Sequence, residues 1–165
     1  MEKWDTFATV AGGAAAGLTG LLFVAVSIQI GVIAKSAELR NRAAQTLGLF
    51  LTVLFIALLL SIPDQSKRLL GVELLVLALL TGAGHLVLDA RAKVDTDPGD
   101  RAAHAVAKIL DTVAPNAVTS ALLVVAGLLL VFGLGAGLYV SVAPVFTGLG
   151  GGVVSAWLLL TKIPA

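Results

Sequence analysis

LLGVELLVLALLTGAGHLVLDA, residues 69–90, decides how the rest of the chain is read. A hydrocarbon core of about 30 Å is crossed by about 20 apolar residues in a helix, so this stretch is long enough to span. Yet it carries Glu73, His85 and, at its end, Asp89. A charged group at the centre of a bilayer costs about 2.5–3.5 kcal/mol on insertion scales, so such groups turn toward protein or water. The stretch is therefore expected to be the interior element of a helical bundle.

The rest of the chain supports a membrane setting. Of its 165 residues 58% are hydrophobic and 13% charged, with a mean hydropathy of +1.02, whereas soluble domains are about 25% charged. A chain this short has too much surface for its volume to hide so many apolar side chains from water. A single transmembrane domain over residues 1–165 is the economical reading, multi-pass in a plasma membrane such as the bacterial inner membrane. With no cysteine there is no disulfide or thiolate metal site, and two histidines without HExxH spacing argue against zinc. No cofactor is expected. A formal charge of +1 and the lack of a long basic tract argue against nucleic acid as a partner. The start, MEKWDTF, lacks the positive region of a cleaved signal, and the apolar run behind it reaches Ala34, so the first span is expected to stay.

The pattern predicts an all-α fold, a five-transmembrane-helix bundle with spans at about 6–34, 43–62, 69–90, 116–132 and 138–161. The first is longer than one crossing requires, so it should tilt or protrude. Gly133, Leu134, Gly135, Ala136 and Gly137 form a chargeless turn between the last two spans. One long kinked helix is the competing reading, but it would exceed a crossing and contain Pro144 and the glycines at 150–152. Five spans separate the chain ends, and the positive-inside rule then orients them. One side carries eight basic residues, Lys35, Arg40, Arg42, Arg91, Lys93, Arg101, Lys108 and Lys162; the other carries Lys3, Lys67 and Arg68. The expectation is N-terminus outside and C-terminus cytoplasmic, with Trp4 and Tyr139 near the outer interface and Trp157 toward the inner one.

Residues 91–115 are the one sizeable segment outside the membrane. Asp97 and Pro98 offer a helix start, and Ala102, Val106, Ile109, Leu110 and Val113 share a face opposite Arg101, His104, Lys108 and Asp111. This predicts a short amphipathic interfacial helix between spans three and four. A docking site for a partner is the sharper alternative.

Small residues four apart let helix backbones approach closely where lipid gives no hydrophobic drive. The first span has Ala8, Gly12, Ala16 and Gly20 in this relation, with Gly13 and Gly17 beside them, and the fifth has Gly148, Gly152 and Ala156. They serve packing within one chain or assembly of several. Sorted by depth, Ser27, Gln29, Gln45, Thr81, His85, Asp89, Asn116, Ser120 and Ser155 approach the cytoplasmic leaflet together. Thr81, His85 and Asp89 are spaced by four and share a face, so Asp89 is placed to hold the imidazole. Such a cluster either forms an ion, proton or small-solute pathway, or satisfies itself and fixes the packing. Glu73 lies near the outer end, roughly 120° around the helix from His85, where snorkelling or pairing with Lys67 or Arg68 explains it.

Enzyme signatures are absent: no GxSxG, no HExxH, no P-loop lysine, no paired aspartates at membrane depth. GGAAAGLTGLLFVAVSIQIGVI at 12–33, SIPDQSKRLLGVELL at 61–75, GLYVSVAP at 137–144 and VSAWLLLTKI at 154–163 resemble a group of small, uncharacterised multi-span membrane proteins of the actinobacterial type. Some of its members are named as modulators of a membrane protease. Within the resemblance, Gln29 and Glu73 are the positions to examine first. The expectation is a non-enzymatic membrane protein whose partners are the lipid bilayer and copies of itself, with a polar intramembrane cluster. The alternative is an accessory or regulatory subunit of a larger membrane complex.

Overall fold

In lipid every backbone N–H and C=O must find its partner within the protein, which a helix achieves residue by residue. The computed structural model describes residues 2–94 and 114–161, and among them there are helices and no strand. They are α1 (Glu2–Ile28), α2 (Ile30–Ile33), α3 (Ala37–Leu60), α4 (Lys67–Val94), α5 (Ala114–Val131), α6 (Ala136–Val140) and α7 (Val142–Thr161). Four segments are long and apolar enough to cross a membrane: Trp4–Ile28, Ala37–Leu60, Lys67–Leu88 and Ala136–Thr161, the last combining α6 and α7. That is the make-up of a multi-pass membrane protein. The apolar helix Pro115–Val131 is shorter. The amphipathic helix expected between the third and fourth spans falls on residues 95–113, outside the described residues.

Each helix end has a local cause. The first apolar run does not continue unbroken to Ala34: Gln29 leaves helical geometry at φ −104° and ψ 18°, and α2 is a single turn that follows. Ser36 then caps α3, its hydroxyl accepting from the Leu39 N–H at 3.3 Å. Ser66 does the same for α4 through the Leu69 N–H at 3.2 Å. The expected glycine turn is present. Gly133 takes φ +80°, the Leu134 N–H reaches the Leu129 carbonyl at 2.8 Å, and the Gly133 N–H reaches that of Leu130 at 2.9 Å. Those two bonds are the Schellman closure of a helix, which needs a left-handed residue where Gly133 stands. Between α6 and α7 the helix breaks at Ser141 because Pro144 has no N–H to return to the Val140 carbonyl.

The centre of the bundle is α3 and not the 69–90 helix. Half of the α3 span is buried, against a third of that at Lys67–Leu88. α3 buries Arg42, Gln45, Thr46 and Thr52 along with Phe50, Val53 and Ile56, while α4 turns Val72, Val76, Leu79, Leu80 and Leu86 outward. Around α3 lie α1, α4 and α7, and α5 closes the far side against α4 and α7. A Cβ built on Gly12 would sit 3.2 Å from Ala57 Cβ, and one on Gly148 2.7 Å from Val53 Cγ2; Gly152 abuts the Phe50 ring. Gly148 and Gly152 of α7 thus serve packing within the chain. Gly13, Gly17 and Gly20 instead have open space beyond them.

The tightest crossing joins α4 to α5. Gly71 meets the Gly127 carbonyl oxygen at 2.8 Å and Val131 N at 2.7 Å from where a Cβ would stand, and Gly127 reciprocates toward the Gly71 carbonyl at 2.9 Å. The apolar core runs from Ala8, Ala11 and Ala15 through Val53, Ile56, Leu74, Leu77, Ala78 and Leu123. A second cluster gathers Leu22, Ile33, Leu39, Phe50 and Leu159 at the opposite end from Trp4, which stacks edge-on against Tyr139 with ring centroids 5.3 Å apart.

Candidate functional site

A layer of buried polar side chains crosses the bundle near the start of α3. From α3 come Arg42, Gln45 and Thr46, from α4 His85, from α5 Asn116 and Thr119, and from α7 Ser155, every one of them buried. Their placement follows from the close approaches that glycines permit. Gly48 opens a notch in α3 into which the His85 imidazole fits, with Nε2 3.0 Å from where a Cβ on Gly48 would be. One turn back on α4, a Cβ built on Gly82 would stand 3.9 Å from Ser120 Oγ of α5. Gly151 of α7 lies against Pro115, the neighbour of Asn116, and against Leu49 of α3. Four helices therefore meet at one level.

Hydroxyls in this layer first satisfy themselves. Thr46 Oγ1 donates to the Arg42 carbonyl at 2.9 Å, Thr52 Oγ1 to that of Gly48 at 2.7 Å, and Thr81 Oγ1 to that of Leu77 at 2.8 Å. The Thr119 and Thr147 hydroxyls join α5 to α7 at 3.0 Å. Gln45, His85, Ser155 and Arg42 also have partners within the protein. Three buried polar atoms of the layer have no hydrogen-bond partner of their own: Arg42 Nη1, His85 Nδ1 and Asn116 Oδ1, the last the one acceptor that only a donor can satisfy, in a residue 4% exposed. An unmatched buried acceptor is expensive, about 1–3 kcal/mol, so it asks for a donor.

The sequence-derived candidates divide accordingly. Gln45, His85, Asn116 and Ser155 lie buried in the layer, with Ser120 half-buried beside it and Thr81 half-buried one turn from His85. Ser27 does not join them: it is exposed and its hydroxyl returns to the Phe23 carbonyl at 2.7 Å. Gln29 is half-buried at the break between α1 and α2. The expected pairing of Asp89 with His85 rests on a side chain outside the described residues. Arg42, counted from sequence among the exposed basic residues, is 6% exposed and belongs to the layer. A basic residue five positions inside a helix start was the available signal.

At the other end, Glu73 is half-buried and accepts a hydrogen bond from Gln65 Nε2 of the α3–α4 loop, where pairing with Lys67 or Arg68 was expected. Gln65 is itself buried, with Oε1 lacking a protein partner. Between this pair and the His85 layer stand Leu74, Leu77 and Ala78, all buried among Val53, Ile56 and Leu123. Glu73 and His85 are thus about 18 Å apart along α4, at a rise of about 1.5 Å per residue, with those apolar side chains between them. No group of three or more metal-ligating residues exists among the described residues. Compared with models of known protein families, with curated proteins and with solved structures, the chain matches none.

Proposed function

We propose that the chain is a non-enzymatic, five-span protein of the plasma membrane, N-terminus outside and C-terminus cytoplasmic. It assembles with copies of itself and takes an ion, proton or small polar solute into the layer around His85 and Asn116. The observation that carries this reading is the buried Asn116 Oδ1, an acceptor that no protein group bonds, in a residue buried at the level of His85 and Thr119. Asn116 stands in the first turn of α5.

Five spans are supported by the length of α5, whose 18 residues rise about 27 Å, near the short end of the spanning range. Orientation is supported by the eight basic residues on one side against three on the other. An amphipathic connection lying on the cytoplasmic surface completes the arrangement. The apolar side chains of Leu74, Leu77 and Ala78 beneath the layer disfavour continuous passage through one copy, which is why assembly with further copies is part of this reading. Gly13, Gly17 and Gly20, exposed on α1 with nothing against them, suit the close approach of another helix.

Reconstitution tests this reading. Purified protein should run as a discrete oligomer in mild detergent and give flux in liposomes that His85→Leu, Asn116→Leu, Gln29→Leu or Glu73→Gln reduces. Silent vesicles across a range of pH and potential would remove the conduction reading. The same open face of α1 favours a second one, an accessory subunit of a larger membrane complex such as a membrane-protease modulator. There, native-membrane pull-down should recover a stoichiometric partner that Gly17→Leu releases.

A further inference from the structure

Away from the polar layer, α1 and α7 diverge over Phe50 and leave a groove of about 220 Å³. Leu18, Leu22, Ala25, Ala156 and Trp157 form its walls, with no polar residue in the lining. It opens outward: Leu21 is 67% exposed and Trp157 68%. Small-molecule sites usually enclose about 300–1,000 Å³, so this groove is narrow for a folded ligand and suits a slender chain of methylenes.

The apolar cluster behind the groove leads to a basic turn. Leu18, Leu22, Phe50 and Ala156 of the groove belong to one apolar cluster with the buried Ile33 and Leu39, the residues that bracket the turn between α2 and α3. Lys35 and Arg40 stand exposed on that turn and on the first turn of α3. Arg40 Nη1 donates to the Ala34 carbonyl at 2.6 Å, which holds the guanidinium across the turn. Glu38, the acid of the same region, has a protein partner of its own.

We propose that this groove seats one acyl chain of an anionic phospholipid, with the headgroup phosphate over Lys35 and Arg40. The apolar walls recognise the chain, and the two cations recognise the net negative charge of the headgroup, which the ammonium of a phosphatidylcholine cancels. Each cation near a lipid surface is worth about fivefold in affinity for an anionic headgroup, about 25-fold for the pair. The site rests on the reading of the chain as a membrane protein but is independent of whether the polar layer conducts.

The full chain has two tryptophans, so Trp4→Phe leaves Trp157 as a sole reporter in the groove wall. Titration in a non-ionic detergent with phosphatidylglycerol brominated in mid-chain should quench Trp157 to saturation at one lipid per chain. Its affinity should exceed that of brominated phosphatidylcholine by about 25-fold. Lys35→Gln with Arg40→Gln should bring the two lipids level, both substitutions being on exposed side chains that leave the core intact. Ala156→Leu or Ala25→Leu, filling the groove, should abolish saturable quenching while the helical circular dichroism is retained. Quenching that rises linearly with lipid fraction, or equal affinity for the two headgroups, overturns the proposal. So does Trp157 emission that follows protein concentration instead of lipid, which would place a second copy in the groove.

Discussion

Replacing Gly127 by alanine probes the α4–α5 crossing on which the second half of the bundle depends. The new methyl would lie 2.8 Å from Leu75 Cγ and 2.9 Å from the Gly71 carbonyl oxygen. Carbon atoms pack best at about 3.5–4.0 Å, and a carbon over a carbonyl oxygen sits at about 3.3–3.6 Å. Leu75 can swing aside; the carbonyl cannot, so the backbones must part by roughly 0.4 Å or more. Overpacking of this kind costs about 1–3 kcal/mol, and alanine returns about 0.8–1.0 kcal/mol through helix propensity. The net expectation is a loss of about 1 kcal/mol. Gly71→Ala meets two backbone atoms, Val131 N at 2.7 Å and Gly127 O at 2.8 Å, so its loss should be nearer 2 kcal/mol. Gly17→Ala meets nothing within 4 Å and should be neutral or gain up to about 1 kcal/mol in the single chain. Because helices parted for one methyl already admit the other, the double variant at 71 and 127 should lose less than the sum. Equilibrium unfolding in mixed micelles reads the order directly. A Gly71→Ala protein as stable as wild type would refute the crossing described here.

Other expectations concern single contacts. Gly133→Ala has room for its methyl but must hold φ at +80°, so unfolding measurements should show a loss of about 1–2 kcal/mol, with Gly133→Asn recovering part of it. Thr119→Val removes the 3.0 Å bond to Thr147, which keeps its own bond to the Ala143 carbonyl at 3.1 Å; the loss should be about 0.6 kcal/mol and not exceed about 1.7 kcal/mol. Gly48→Ala should displace the His85 ring, detectable as a shift of its imidazole NMR signals. In a double-mutant cycle with His85→Ala the coupling should reach at least about 0.5 kcal/mol, and simple additivity would contradict the notch.

Much of the helical plan was legible in single residues. Gly133 announced a turn because few other residues tolerate its dihedral, whereas Pro144, which argued from sequence only against one long kinked helix, also interrupts at Ser141 the span expected to run unbroken over 138–161. His85, Gln45, Asn116 and Ser155 were sorted to one depth by counting residues along alternating helices, and they lie buried in one layer. What counting could not supply was rotation and pairing. Ser27 has the right depth but the wrong azimuth, since a serine that bonds its own turn can face outward at little penalty. Glu73 found its partner in the loop residue Gln65, which no helical periodicity could bring forward. Gly71 and Gly127 sit singly among large residues, so no four-residue spacing marked them, and only their mutual approach reveals the crossing. The polar side chains of 69–90 argued for a central helix; α3 took the centre because it carries more groups that need covering.

That central position has a consequence for biogenesis. α3 emerges from the ribosome well before α7, which lays Gly148 and Gly152 along it. Helices in a bilayer insert before they associate. Throughout elongation, therefore, the nascent chain holds Arg42, Gln45 and Thr46 without their final cover. A ribosome stalled before residue 142 should present this flank to insertion factors, and a chain truncated there should be a preferred substrate for membrane quality-control proteolysis.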